Sequence, residues 1–383
     1  MNSDHLASPV PKGVHRVQIA PMLDVSYQDF RYVVFKHLDP FFNRVFIRLL
    51  TSRSQIWSEM VVDKVLTHNT DNQEVLDDHL GFSVREEPMV LQLGGSDPET
   101  LGSATRVVHQ YGYSDVNLNA GCPSCKVAGL GEFGAALMKK PLVIKECLEA
   151  MANAAPIRVS LKTRLGVDDL DSKEYFSSLL DTVLLANLPS SCDFSVTVHA
   201  RKAWLKGLSP AQNRTIPPLD YQRAFDVCGS KSGLKWYLNG GINTLQEAQA
   251  LFHQAPPNME GVMMGRAAMN DPCVFANTDV LLYGELENPH TALTRRSLLE
   301  AYCDYIHDKY TIPGDSVVSV GDVFKAVKPL LGVFHGLKGN KQWRSNLDRF
   351  ARNDDLRREY GVSGIIEEAM KDIDWDILDS KLV

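Results

Sequence analysis

Arg16-Val-Gln-Ile-Ala-Pro-Met22 decides between two ways of folding this chain. The run Val17 to Ala20 reads as a first β-strand, and Pro21 stops it. A doubly wound open sheet would follow that strand with a Gly-x-Gly-x-x-Gly turn. Ala-Pro-Met stands there instead. The other way to alternate strands and helices is a closed barrel, which needs no such turn.

Outward from this strand, Tyr27 to Leu38 has helix-like spacing. Two apolar runs follow, Arg44 to Leu50 and Ser54 to Met60. The second is the expected second strand, with the first an insertion or a hairpin partner. From Pro88 the rhythm is regular. Strand Met89 to Leu93 closes on Gly94-Gly95, and helix Asp97 to Tyr111 has Asp97 as N-cap and Pro98 at its first position. Strand Asp115 to Asn119, helix Pro141 to Ala152, strand Ile157 to Lys162 and helix Ser172 to Leu185 come next. Strand Phe194 to His199 precedes a long loop. Strand Lys235 to Asn239, helix Thr244 to Phe252 and strand Gly261 to Met264 end the series. Eight β segments with helix-length spacers over about 260 residues predict an α/β fold, a TIM (β/α)8 barrel.

The stretch Asp115-Val-Asn-Leu-Asn-Ala-Gly-Cys-Pro-Ser-Cys125 is the most informative for chemistry. Val116 and Leu118 alternate with polar neighbours, as in a short buried strand. Gly121 and Pro123 break the pattern, so Cys122 falls in the turn past the strand's C-terminal end. A rigid strand can present a thiol there to a substrate. The alternative is a small buried hydrophobe, the commoner state of a free cysteine.

Gln92, Asn119, Lys162, His199 and Asn239 also fall at C-terminal ends of expected strands. In a barrel those ends converge on the active-site face. Each alone has a structural explanation, as a loop cap, an ion-pair partner or a core histidine. Five together point to a site. Gly240-Gly241-Ile242 after the seventh strand and Gly265-Arg266 after the eighth add loops of the kind that bind phosphate through backbone N–H groups, with Arg266 supplying a charge-assisted fork.

From Ala292 the β/α rhythm stops, and Leu298 to His307, Asp322 to Leu337, Gln342 to Arg349 and Ile365 to Ile373 read as helices of a smaller α-helical domain. The expected division is an N-terminal extension at 1–15, a barrel at 16–291 and a helical domain at 292–383. Between Lys325 and Arg358 stand nine Lys or Arg against three Asp, in a chain whose net charge is −7. A solvated helical surface would explain that surplus. Beside a site needing a polyanionic partner, a phosphate-tracking patch explains it better.

Of 383 residues, 44% are hydrophobic and 23% charged, the composition of a protein with a sizeable core. No apolar run approaches the roughly 20 residues of a membrane span, and the N-terminus has no secretory pattern. Seven scattered cysteines fit reduced thiols in an intracellular compartment, cytoplasmic or organellar. Cys122 and Cys125 form a lone C-x-x-C with no second pair and no His-x-His cluster, so no metal site is expected.

Ala20-Pro-Met-Leu-Asp24, Leu91-Gln-Leu-Gly-Gly95, Asn117-Leu-Asn-Ala-Gly-Cys-Pro-Ser124 and Phe133-Gly-Ala-Ala-Leu-Met138 occur in order. Lys162-Thr-Arg-Leu-Gly-Val-Asp-Asp169, His199-Ala-Arg-Lys-Ala-Trp-Leu-Lys-Gly-Leu-Ser-Pro210, Pro217-Pro-Leu-Asp-Tyr221 and Asn239-Gly-Gly-Ile242 follow. From about Val17 to Trp343 the chain resembles a tRNA-dihydrouridine synthase of the A branch. The resemblance implies a barrel holding FMN, a C-terminal tRNA-binding domain, and NADPH-driven reduction of uridine to 5,6-dihydrouridine in the tRNA D-loop, at positions 20 and 20a. It implies that Ala20, Pro21 and Met22 line the flavin and Gln92 touches its ring. Lys162 and His199 then reach its polar edge and ribityl chain, while Asn239, Gly240, Gly241, Gly265 and Arg266 hold its phosphate. Cys122 matches the proton donor and Asn119 a contact to the base, with Arg201, Lys202 and Arg214 facing RNA. A monomer is expected.

The chemistry agrees. Hydride delivered from flavin N5 to C6 of uracil leaves C5 in need of a proton, and a neutral thiol, with a free pKa of about 8.5, is a suitable acid. A cation at the flavin N1–C2=O edge, here Lys162, stabilises the anionic reduced ring. Two departures stand out: Cys125-Lys126-Val127 replaces the usual Asp-Arg-Val, raising the hypothesis of a regulatory disulfide with Cys122, and Phe41 to Leu50 is an apolar insertion. Competing expectations are an FMN barrel acting on free pyrimidines, like dihydroorotate dehydrogenase, and a non-catalytic tRNA-binding protein.

Overall fold

A computed structural model describes residues 15–27, 46–82, 86–124, 133–286, 292–310 and 318–382. Eight strands close into a parallel barrel in chain order. They are β1 (Val17–Ile19), β2 (Gln55–Val62), β3 (Met89–Gly94), β4 (Asp115–Ala120), β5 (Arg158–Arg164), β6 (Ser195–His199), β7 (Lys235–Asn239) and β8 (Met259–Met264). β1 closes the ring by pairing with β8, Ile19 beside Met264. The expected helix over Tyr27 to Leu38, beyond its first residue, and Cys125 with the segment after it lie outside the described residues.

Strand alternation sorts the chain into two apolar clusters. On β4, Val116 and Leu118 join the large cluster between strands and helices, each fully buried. A buried Val or Leu of that shell contributes about 1.5–3 kcal/mol. Asp115, Asn117 and Asn119 take the opposite face and are buried too. The second cluster is small: Ala20, Trp57, Val90 and Met263, with Met22 packed against it. Polar residues therefore occupy much of the barrel interior, and they need partners there.

The outer helices are capped as their sequences imply. Asp97 Oδ1 accepts the Thr100 N–H at 2.8 Å, and Pro98 occupies the first position of the helix Pro98–Gln110. That helix buries Leu101, Ala104 and Val108, and ends before Gly112, whose φ is +100°. Asp97→Ala would cost about 1 kcal/mol.

The expectation of a hairpin partner at Arg44 to Leu50 is corrected within its described part. Ile47–Leu49 is a 3-10 turn, with Phe46, Ile47, Leu49 and Leu50 buried. Arg48 holds this turn against the neighbouring strand starts. Its guanidinium, buried, donates to the carbonyls of Ser54 and Glu86 at 2.6 Å and of Pro88 at 3.2 Å, tying the starts of β2 and β3 together.

From Ala292 the described chain is helical, chiefly in Arg295–Tyr310, Val320–Val327, Asn340–Ala351 and Asp354–Met370. The expected helix Asp322 to Leu337 is cut at Val327 by a 3-10 turn, Lys328–Gly332, in which Pro329 supplies no N–H. Trp343, fully buried, donates its indole N–H to Leu330 O at 2.9 Å and anchors this region. Gly332 seats it on the barrel. A Cβ there would lie 2.6 Å from Asn270 O, just beyond the exit of β8.

Candidate active site

Register aligns the polar strand ends. Gln92 pairs with Asn117, Asn119 with Lys162, Arg164 with His199, and His199 with Asn239. All five strand ends singled out in the sequence thus meet at one mouth of the barrel.

At the end of β4 the backbone turns over Asn119. Its Oδ1 accepts the N–H groups of Gly121 and Cys122, both at 3.0 Å, which is the self-capping turn Asn favours. Asn119 Nδ2 donates to Gln92 Oε1 at 2.8 Å, and Gln92 Nε2 to Asn117 Oδ1 at 2.9 Å. From the far side, the Ala135 N–H donates to Cys122 O at 2.9 Å. Cys122 is a free, half-buried thiol held in a defined place.

Cations surround it. Lys162 Nζ donates to Asn239 Oδ1 at 3.2 Å, and Asn239 Nδ2 to Met263 O at 2.7 Å. Burial, with Arg164 and Arg214 nearby, pushes the Lys162 amine down to about 7, while Cys122 acts in the opposite direction. Arg164 is also lowered, by burial above all, to about 10, and stays charged at neutral pH. His199 lies well below its usual range because it is desolvated beside Arg164, Lys162, Arg201 and Arg214, so its ring is neutral. No described carboxylate is among the charges acting on these three groups. Such a cluster focuses a positive field on the mouth.

The glycine loops complete the cradle. Gly240 and Gly241 have φ of +117° and +73°, which side chains rarely adopt. A Cβ on Gly240 would lie 2.7 Å from His199 Cδ2, and one on Gly241 2.5 Å from Leu219 Cδ1. Tyr221 Oη donates to Gly240 O and Asn243 Nδ2 to Gly241 O, fixing the loop. Gly265 faces the first strand's exit: a Cβ there would come 3.3 Å from Ala20 Cβ and 3.7 Å from Met22 Sδ. Ala20, half-buried Pro21 and Met22 are thereby set beside Gly265 and half-buried Arg266.

Of the three residues expected to face RNA, Arg201 is held inside the protein in this structure. It is 9% exposed, and its guanidinium donates to the carbonyls of Thr215 and Pro217, so it shapes the long loop after β6 instead of meeting solvent. Lys202 pairs with Asp171 at 3.0 Å and stacks on Trp204, 4.1 Å from the ring centroid. Arg214 is exposed at the rim. In the basic helical segment, Arg357 is likewise buried, paired with Asp354. Lys341 and Arg344 are exposed, with no described carboxylate as a partner.

Arg164 was not among the residues read from the sequence. It is 3% exposed and donates from Nε to Gly121 O at 2.9 Å, and from Nη1 to Lys202 O and Asn213 O at 3.0 and 2.9 Å. One side chain thus clasps the Cys122 turn to the loop after β6. Its signal was present: two residues past Lys162 on a strand, it must share that residue's face. Asn117 was available in the same way from Asn119.

Cations with no described carboxylate partner around one thiol call for negative charge opposite them, and the class they define is a barrel enzyme that takes an anionic ligand at its C-terminal mouth. The chain belongs to the dihydrouridine synthase family, whose family model matches residues 18–369. It is 35% identical over 358 residues to a Yersinia pestis protein named tRNA-dihydrouridine(20/20a) synthase, covering 93% of this chain and 91% of that one. Proteins of the same name from Shewanella oneidensis and Escherichia coli K12 are each 35% identical, over 87% and 90% of this chain and 88% and 90% of theirs. Among the described residues no helix is long and apolar enough to cross a membrane, and no three His, Cys, Asp or Glu side chains converge as metal ligands do.

Proposed function

We propose that this protein reduces uridine to 5,6-dihydrouridine in the D-loop of tRNA, at positions 20 and 20a, using FMN and electrons from NADPH. Family membership and the names of its relatives support the reaction. The observation that carries the site assignment is Cys122, half-buried beside the Lys162 amine and the Arg164 cation in a mouth with positive-φ glycine loops.

The residues present fit a phosphate-bearing flavin, since the cluster has cations with no described carboxylate partner and the positive φ of Gly240 and Gly241 lets successive backbone N–H groups turn toward an anion. Asn239, Gly240, Gly241, Gly265 and Arg266 would hold the phosphate, Lys162 and His199 the polar edge and ribityl chain, and Ala20, Pro21, Met22 and Gln92 the ring. Bound there, the flavin supplies a hydride for C6 of the uracil. Cys122 Sγ gives its proton to C5. The second Nδ2 hydrogen of Asn119, whose other polar valences are used within the protein, is left for the base. Lys162 takes up a proton as negative charge arrives.

A base reaching this mouth must leave its stack. Lys202 and Arg214 would then meet the RNA near the site, and the helical region 292–382, with Lys341 and Arg344 exposed, would grip the tRNA body. The test is to incubate unmodified tRNA with protein, FMN and NADPH and to map dihydrouridine along it. Conversion at 20 and 20a that needs all three additions is expected. No conversion at any uridine, or turnover of free pyrimidine in place of tRNA, overturns the proposal.

A further inference from the structure

A chain of amides runs through the barrel interior, and its polarity has only one solution. Backbone N–H groups donate and cannot accept. The group they meet, 3.0 Å from both Gly121 N and Cys122 N, must be Asn119 Oδ1. Asn119 then turns Nδ2 toward Gln92, which answers with Oε1 at 2.8 Å. Gln92 must point Nε2 at Asn117, 2.9 Å away, where Oδ1 accepts. Asn117 is left with Nδ2 toward Ser160 Oγ, at 2.9 Å. Gln92, Asn117 and Asn119 are 2%, 0% and 7% exposed, so water does not compete for these bonds.

We propose that Asn117 and Ser160 are positioning residues for the reaction. They complete an amide relay whose polarity the Gly121 and Cys122 N–H groups set, and which fixes the orientation of the Gln92 amide that would meet the cofactor. The cofactor half of this statement rests on the function proposed above. The relay itself does not.

Two isosteric substitutions on the same face of β4 separate polarity from packing and charge. In Asn117→Asp, one carboxylate oxygen accepts from Gln92 Nε2 and the other from the Ser160 hydroxyl, which can donate as well as accept. The relay keeps its direction. In Asn119→Asp, the carboxylate still accepts from Gly121 and Cys122 but offers Gln92 no donor. Gln92 must reverse, Asn117 must follow, and the Ser160 hydroxyl ends the chain as donor. The Cys122 turn stays in place while the Gln92 amide exchanges its two ends. Asn119→Ala instead frees the turn.

The experiment compares these three variants with wild type at pH 8. Iodoacetamide labelling of Cys122 in flavin-free protein, followed by the mass of its peptide, reads the turn. The visible absorption of added FMN reads Gln92. Asn117→Asp is expected to match wild type in both. Asn119→Asp is expected to label within about twofold of wild type but to shift the flavin band, and Asn119→Ala to label about tenfold faster or more. Equal flavin shifts in the two Asp variants, or Asn119→Asp labelling as fast as Asn119→Ala, overturn the relay. Failure of wild type to take up FMN overturns the cofactor reading alone, and the labelling arm still judges the relay.

Discussion

Lys162 Nζ donates to Asn239 Oδ1 at 3.2 Å, joining β5 to β7 across the barrel mouth. This amine sits at about 7 in the folded protein, against 10.5 for a free lysine, because burial and neighbouring cations disfavour its charge. Between those values the unfolded chain binds the proton and the folded protein does not, so stability rises with pH from about 7 to 10 and the cost is complete below 7. Lys162→Met is expected to flatten that slope and raise the melting temperature of the flavin-free protein at neutral pH. Melting curves from pH 6 to 10 check it. Binding of an anion, which restores the charge, should weaken over the same rise in pH.

Arg164 separates geometry from charge. Arg164→Ala removes the partner of the Gly121, Lys202 and Asn213 carbonyls, at about 1–3 kcal/mol for the buried Asn213 one and less for the two part-buried ones, and should lower the melting temperature markedly. Arg164→Lys keeps the charge but has no fork to reach three carbonyls. It is expected to lower dihydrouridine formation at least about tenfold with a smaller loss of stability, as calorimetry and product mapping would show.

Cys122→Ala should fold normally, since the thiol is half-buried and its turn is held through backbone atoms. Flavin and tRNA binding are expected to survive while dihydrouridine formation falls by roughly 10² or more, the scale of a lost general acid. Near-normal formation would remove Cys122 from its assigned role.

Gly240→Ala combines a φ of +117° with a Cβ 2.7 Å from His199 Cδ2. Gly207→Ala has a φ of +83° but nothing within 4 Å. Both carry backbone strain, and only the first displaces His199. Flavin affinity, measured by fluorescence titration, should drop at least about tenfold in Gly240→Ala and little in Gly207→Ala.

Lys341→Glu with Arg344→Glu reverses two exposed charges in Asn340–Ala351 without touching Trp343, which lies between them and is buried. Weaker tRNA binding and a shallower salt dependence are expected, by about 0.7–0.9 for each phosphate no longer neutralised. Flavin binding should not change. An unaltered salt slope would move the RNA surface elsewhere.

The sequence by itself determined the order of strands and helices and the residues at the strand ends. Both follow from local rules: side-chain alternation along a strand, an aspartate cap before Pro98, and glycines where the backbone must turn. It did not reveal that the polar face of β4 points into the barrel, because alternation states that two faces differ and not which one looks inward. Closure of the ring decided that. Tertiary packing also buried Arg201, turned Phe46 to Leu50 into a packed turn, brought Arg164 to Gly121, 43 residues earlier in the chain, and, among the C-terminal helices, buried Arg357. Such bonds depend on where distant loops end up once eight strands share one circle. That is why Cys122 was legible from its own turn, while the clasp and the amide relay that hold it were not.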